Sequence, residues 1–380
     1  MQPKNIGIYV HIPFCQSKCP YCDFCSFPHP DAATMAAYTR ELCRRMRDEA
    51  EKFVAYEVDT VYFGGGTPTL LPLSCAEEIM TTLQANYRMG EGAEVTLECN
   101  PATADTNILS VWQKLGVNRL SMGAQSAQPA ELKALGRLHT WDQVCQTVAM
   151  AREAGIQNIN LDFMMGIPHQ TKESLADTLH KAIALHPRHL SAYCLSLEEG
   201  TPYYKKGSEL LGLPSDDTVA EMYLLAADII KKAGYEHYEI SNFCLQGYPS
   251  GHNLNTWQAG EYVGFGVAAQ SHVGHTRYGQ SRDMAAFLAG QDITQDAYTM
   301  TPMQAAAEAV ILGLRLRQGI SLDQIERKYG VTFPQGLEAC LTPYLAGGFL
   351  RMTDGRVALT EDGWLVSNQI LGDIWEILED

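Results

Sequence analysis

Apolar positions along the chain follow two alternating periods. Short runs rich in β-branched and aromatic residues read as strands: IGIYVHI (6–12), VDTVYF (58–63), EVTLEC (94–99), NRLSMGA (118–124), INLDFMM (159–165) and LSAYCLSL (190–197). Between them, apolar residues recur at helical spacing near 33–53, 74–86, 105–115, 129–135, 141–154, 172–185 and 217–233. Six strand–helix units with short loops predict an α/β fold of parallel strands joined by right-handed crossovers. An open doubly wound sheet and an incomplete barrel both satisfy that order, and the placement of polar residues helps to choose. Cys15 follows the first strand, Gly64, Gly65 and Gly66 follow the second, Glu98 and Gln125 end the third and fourth, and Asp162 lies in the fifth. The carboxyl ends of strands form the working face of parallel α/β folds. Five consecutive strands contributing there favour a curved array around one ligand.

From about residue 236 the order changes. YEHYEISNF, GVAAQSHVG and TRYGQ read as short strands with Gly-rich turns. Residues 302–380 read as helices at 303–316, 321–329 and 336–346, a strand pair around FLRM and RVALT, and a final helix at 361–378. Three helices and a hairpin resemble a winged-helix module, although a helical cap without nucleic-acid function suits the charge better. The expected division is 1–235, 236–300 and 301–380.

Composition narrows the function classes. The 380 residues are 46% hydrophobic and 19% charged, as in an ordinary globular protein. The net charge of −16, with no basic run longer than Arg44-Arg45 or Lys205-Lys206, argues against nucleic acid as a partner. No apolar stretch reaches the length of a membrane span, so no integral membrane segment is expected. The first residues run straight into a strand-like segment without the look of a signal peptide, which points to the cytoplasm.

In that compartment eleven cysteines are not a disulfide framework. Seven are scattered singly and read as small buried apolar residues. The other four, Cys15, Cys19, Cys22 and Cys25, fall within eleven positions of YVHIPFCQSKCPYCDFCSF. A zinc site usually takes two separated ligand pairs, and no second pair follows, although Cys25 could complete a set of four. Nor is the spacing that of a bacterial ferredoxin. Three thiolates on a short loop can instead hold a [4Fe–4S] cluster with one iron open to an exchangeable ligand. C-x3-C-x2-C with Tyr21 before its last cysteine resembles the hallmark of the radical-SAM superfamily, in which that ligand is S-adenosylmethionine (SAM).

YVHIPFC, CPYCDF, FGGGTPT, ECNP, GAQS, LGRLH and LDFMMGIP together resemble the HemN/HemW branch of that superfamily. The likeness continues through YEISNF, GHNLNTW and the C-terminal segment, so it covers essentially the whole chain. It implies a radical-SAM (β/α)6 partial barrel with a smaller C-terminal α+β, winged-helix-like domain. It implies that Cys15, Cys19 and Cys22 ligate the cluster. It also implies that Tyr9, Tyr21, Gly65, Gly66, Thr67, Glu98, Gln125, Arg137 and Asp162 contact SAM. Within the branch, the oxygen-independent coproporphyrinogen III oxidases carry a fourth cysteine as C-x3-C-x2-C-x-C and a longer N-terminal region. Here Phe24 stands at that position and only fourteen residues precede Cys15. The resemblance is therefore to HemW, the heme chaperones, which implies heme as a third cofactor and a heme-accepting respiratory protein as partner. The HemW heme motif H-N-x-x-Y-W appears as His252-Asn253-Leu254-Asn255-Thr256-Trp257, with Thr256 in place of Tyr. It implies His252 and Trp257 as heme contacts. The alternative is an enzyme that cleaves SAM to a 5′-deoxyadenosyl radical and oxidises a tetrapyrrole.

Overall fold

The computed structural model describes residues 3–379. At its centre six parallel strands are hydrogen-bonded in chain order: β1 (Lys4–Ile12), β2 (Tyr56–Gly65), β3 (Met89–Cys99), β4 (Arg119–Gln125), β5 (Asn158–Met165) and β6 (His189–Cys194). The connecting helices include α1 (Ala32–Glu49), α2 (Leu73–Asn86), α3 (Thr106–Lys114), α4 (Pro129–Ala134), α5 (Trp141–Glu153), α6 (Lys172–Ala184) and α7 (Asp216–Lys232). Local chemistry fixes several starts. Asp31 accepts from the Thr34 N–H at 2.7 Å to cap α1, and Thr140 and Thr171 form capping boxes at α5 and α6.

Side chains alternate across each strand. One face is apolar and buried under the helices, with Ile6, Ile8 and Val10 on β1, Leu97 on β3, Leu120 and Met122 on β4, and Leu161 and Phe163 on β5. Burying each such side chain stabilises the fold by about 1.5–3 kcal/mol. The other face carries Tyr9, Thr60, Tyr62, Glu94, Glu98, Arg119, Ser121, Asn160, Asp162, His189 and Ser191, which hydrogen-bond to one another or to the elements that close the array. The six strands thus enclose a polar lumen, as the partial barrel expected from the sequence requires.

The sheet runs on past both edges to twelve strands. β7 (Glu236–Glu239) and β8 (Asn242–Cys244) add antiparallel beyond β6. After helix α8 (Gly251–Trp257), β9 (Tyr262–Phe265) returns to the opposite edge and pairs parallel with β1. β10 (Gln270–Val273), β11 (Thr276–Gln280) and β12 (Thr294–Thr299) extend that edge antiparallel. The smaller C-terminal part holds α9 (Pro302–Gly313), α10 (Leu322–Tyr329), α11 (Gly336–Ala346), the hairpin β13 (Leu350–Thr353) and β14 (Arg356–Leu359), then α12 (Glu361–Leu365) and α13 (Ser367–Glu379). The final helix expected over 361–378 is broken at Val366. This part docks on the barrel through Glu361, which accepts from Lys231 at 2.6 Å and is braced from within the part by Arg317 at 3.1 Å, and through the Ile240 N–H bonded to the Arg315 carbonyl at 3.1 Å. Among the described residues no helix is long and apolar enough to cross a membrane.

Candidate functional site

Cys15 ends a two-residue strand that pairs with Phe27–Pro28, so the chain leaves β1, makes an excursion and returns. Cys19 and Cys22 sit on that excursion, in a turn closed by the Cys22 N–H donating to the Cys19 carbonyl at 3.1 Å. All three thiols line a cavity of about 290 Å³ at the carboxyl ends of the strands. Burial pushes the Cys15 and Cys22 thiols up. Cys25 is buried outside the cavity lining, whereas Phe24 is 64% exposed at its rim.

The GGGTPT loop is stitched to the base of the cysteine loop: the Gly66 N–H donates to Ile12 at 2.8 Å and the Thr67 N–H to Phe14 at 2.7 Å. A Cβ at Gly66 would lie 2.6 Å from the Phe14 carbonyl oxygen, and Gly65 holds a φ of 107°, so glycine is required at both. The glycines thus bring two loops together, and the Gly65 N–H is left to donate to Glu98 at 3.1 Å. The Thr67 hydroxyl lies 3.8 Å from the Cys15 sulfur.

Charge is divided across the cavity. Glu98 also accepts from the Tyr62 hydroxyl at 2.9 Å, yet burial pushes its carboxyl up to about 7. Asp162 accepts from Asn160 at 2.7 Å and Ser121 at 3.3 Å, and burial raises it as well. On the other side Arg137 reaches the Cys19 sulfur at 3.8 Å and donates to the Gly123 carbonyl at 2.8 Å, while its buried Nε finds no partner. Gln125 ends β4 with a φ of 64°, a conformation uncommon outside glycine, and its carbonyl accepts from Tyr193 at 3.0 Å. Tyr21 lines the same cavity. Two carboxylates held up by burial call for a cation or hydroxyl donors, and a guanidinium with an unmet N–H calls for an anion. Together they suit a zwitterion carrying an ammonium and a carboxylate.

Tyr9, His252 and Trp257 lie elsewhere. Tyr9 stacks on Tyr62 with ring centroids 6.2 Å apart, and its hydroxyl pairs with His11 Nδ1 at 3.0 Å. His252 and Trp257 are on α8, which Ser250 caps. α8 closes the amino-terminal end of the barrel: Glu94 accepts from the Gly251 and His252 N–H groups at 3.0 and 3.1 Å, and His252 Nδ1 pairs with the Thr60 hydroxyl at 2.9 Å. Burial pulls the His252 imidazole down to about 4, and only 8% of the residue is exposed. Trp257 packs instead under the Arg315 guanidinium, 5.3 Å from the ring centroid. As folded, the two side chains have different neighbours, and little of His252 faces solvent.

Tyr62, Tyr193, Ser121 and Asn160 escaped sequence reasoning although they hold the site's carboxylates and amide. Their signal is the period-two recurrence of polar residues within otherwise apolar strands, such as Asn160 and Asp162 or Ser121 and Gly123.

The family described as the Radical SAM superfamily matches residues 9–182, and the HemN C-terminal domain matches residues 300–366. The heme chaperone HemW of Lactococcus lactis subsp. lactis is 31% identical over 373 residues, covering 97% of this chain and 97% of the relative. This chain belongs to the HemW family. HemW of Bacillus subtilis is 32% identical over 96% of this chain and 97% of its own length, and HemW of Escherichia coli 36% identical over 70% of each. The solved structure of coproporphyrinogen III oxidase (HemN) from Escherichia coli, titled a radical SAM enzyme, superposes with a TM-score of 0.84 at 21% identity. It covers 98% of this chain and 90% of its own, a likeness of fold. Radical-SAM membership implies a [4Fe–4S] cluster and SAM. The cavity fits both: three thiols on one loop, an unpaired guanidinium nitrogen and two buried carboxyls converge on it.

Proposed function

We propose that the protein is a heme chaperone that carries a [4Fe–4S] cluster on Cys15, Cys19 and Cys22, binds SAM beside it, and delivers heme to a respiratory hemoprotein. The carrying observation is the near end-to-end correspondence with curated heme chaperones. In this reading Glu98 takes the SAM ammonium, Arg137 its carboxylate, and Asp162 and Gln125 its hydroxyls. Gly65, Gly66, Thr67 and Tyr21 shape the walls, and Tyr9 supports Tyr62 from below. When bound, cluster and SAM supply one-electron chemistry, while the protein groups named here bind and orient. The cavity of about 290 Å³ stands at the low end of small-ligand pockets, which run from roughly 300 to 1,000 Å³. Phe24 in place of a fourth cysteine supports a chaperone rather than an oxidase. Eleven cysteines without a disulfide support a cytoplasmic setting.

The test is a pair of assays on anaerobically reconstituted protein. Hemin should bind saturably and pass to an apo-hemoprotein, and coproporphyrinogen III should be left unchanged. Robust decarboxylation without hemin binding would favour the oxidase instead.

A further inference from the structure

Charge is unevenly placed on this acidic chain. The net charge is −16, yet a crevice of about 750 Å³ at the seam between the barrel and the C-terminal part is lined by Lys231, Arg317 and Arg351 against the single carboxylate of Glu236. A second carboxylate, Glu361, is shared by Lys231 at 2.6 Å and Arg317 at 3.1 Å. Arg351 donates to the Arg317 carbonyl at 2.6 Å and pairs with no carboxylate among the described residues. The walls are aromatic and aliphatic, with Tyr235 and Pro249 on the barrel side, Leu254 on α8 and Leu316 on the C-terminal part. α8 is the helix of the GHNLNTW stretch, and Gln258 extends its wall one turn on from Leu254. Trp257, between them in sequence, lies under Arg315 of the C-terminal part, which ties α8 to the same seam.

We propose that this seam crevice holds heme between α8 and the C-terminal part, apolar body inward and propionates outward on Arg317 and Arg351. The proposal rests on the heme-chaperone reading and gives the C-terminal part a role in it. A flat apolar ligand with two carboxylates on one edge matches an apolar crevice with cations at its mouth. The volume lies within the range of roughly 300 to 1,000 Å³ typical of small-ligand pockets. Arginine suits the task, since its planar fork meets a carboxylate bidentately and keeps its charge. Glu361 engages Lys231 and Arg317 and leaves Arg351 as the cation most available to a ligand. The acidic surface elsewhere repels a dianion and so favours the seam. Both arginines are exposed, which keeps the propionate edge within reach of an acceptor.

Soret titrations of the reconstituted full chain with hemin and with hemin dimethyl ester test this, because the two share iron and ring and differ only in the propionate charges. The parent should bind hemin about tenfold or more tightly than the ester, and the gap should narrow at high salt. Arg351→Ala and Arg317→Gln should each lose most of that preference, by weakening hemin and sparing the ester. Arg351→Lys, which keeps the charge, should recover part of it. Gln258→Glu, which sets a carboxylate on the α8 wall, should weaken hemin more than the ester. Iron–sulfur content and SAM affinity equal to the parent's would show that the variants fold. A parent that binds hemin and ester alike, or arginine variants that keep the parent's preference, overturns the crevice proposal while leaving the heme carrier standing. A parent that binds no hemin removes the heme reading itself.

Discussion

The two ends of the barrel are built from the same kinds of residue and treat them in opposite ways. At the floor, polar groups are tied to one another: His252 to Thr60, Glu94 to two backbone N–H groups of α8, and His189 to Asn160 at 2.6 Å and Tyr238 at 2.8 Å. At the carboxyl end, Glu98 and Asp162 are pushed up by burial, Arg137 Nε is unpaired, and three thiols face a cavity. Tyr9 and Tyr62 form the stacked layer between the two ends. Buried polar groups satisfied by the protein hold a fold together, whereas those left unsatisfied around a cavity are made for a ligand. The floor is not perfectly closed, since Arg119 Nε has only Glu94 at 3.9 Å. Even so, the contrast separates a histidine tied into the fold from two carboxylates that line the cavity.

The largest effect is expected at the cysteine loop. Changing Cys15, Cys19 or Cys22 to Ser should abolish the roughly four irons per chain expected of a [4Fe–4S] cluster, and Cys25→Ser should leave them. Iron and sulfide analysis of anaerobic preparations checks this, and loss of the cluster in Cys25→Ser would place a fourth thiolate on it.

Next come the carboxylates. Glu98→Gln and Asp162→Asn each remove one charge-assisted contact worth about 1.5–3 kcal/mol, or roughly ten- to a hundredfold in SAM affinity by calorimetry. Parent-like affinity in well-folded variants would move SAM elsewhere.

The Glu98 carboxyl at about 7 adds a pH signature. Since an ammonium pairs with the ionised form, SAM affinity should fall as pH drops below 7, by up to about tenfold per unit, and this slope should vanish in Glu98→Gln. Stability of the ligand-free protein has the opposite sign. A folded pKa above the unfolded value gives a contribution complete below about 4.5 that is lost as pH rises through 7. Thermal melts at several pH values should show this slope flattened in Glu98→Gln.

At the floor, His252→Ala leaves the Thr60 hydroxyl without its partner and should cost about 1–3 kcal/mol of stability in denaturant titrations. SAM affinity should stay unchanged. A large loss of SAM binding with no loss of stability would reverse the assignment of the two ends. The smallest effect is expected at Arg282, whose exposed pair with Asp23 lies 3.2 Å apart beside the cysteine loop. Arg282→Ala should change stability by no more than about 1 kcal/mol.

Much of this was legible in the sequence. The six strands and their helices fall within a few residues of the expected bounds, because each segment is long enough to show its own period. The cysteine loop was legible because three thiols at fixed spacing need no tertiary context. What escaped was nonlocal. β9 is four residues long, and its parallel pairing with β1 joins segments more than 250 residues apart, as with Val10 and Phe265. Tyr62 and Tyr193 matter only through what they touch across the lumen. The setting of His252 is nonlocal in the same way: Thr60 and Glu94 are brought to it by β2 and β3, which its own Gly-flanked segment does not show.

The contrast between the ends is tested most directly by electron paramagnetic resonance of the reduced, reconstituted protein with and without SAM. The account predicts a [4Fe–4S] signal in the parent that shifts when SAM is added, with the shift weakened in Glu98→Gln and intact in His252→Ala. A cluster signal indifferent to SAM, or a shift abolished by His252→Ala while Glu98→Gln behaves as the parent, would contradict it.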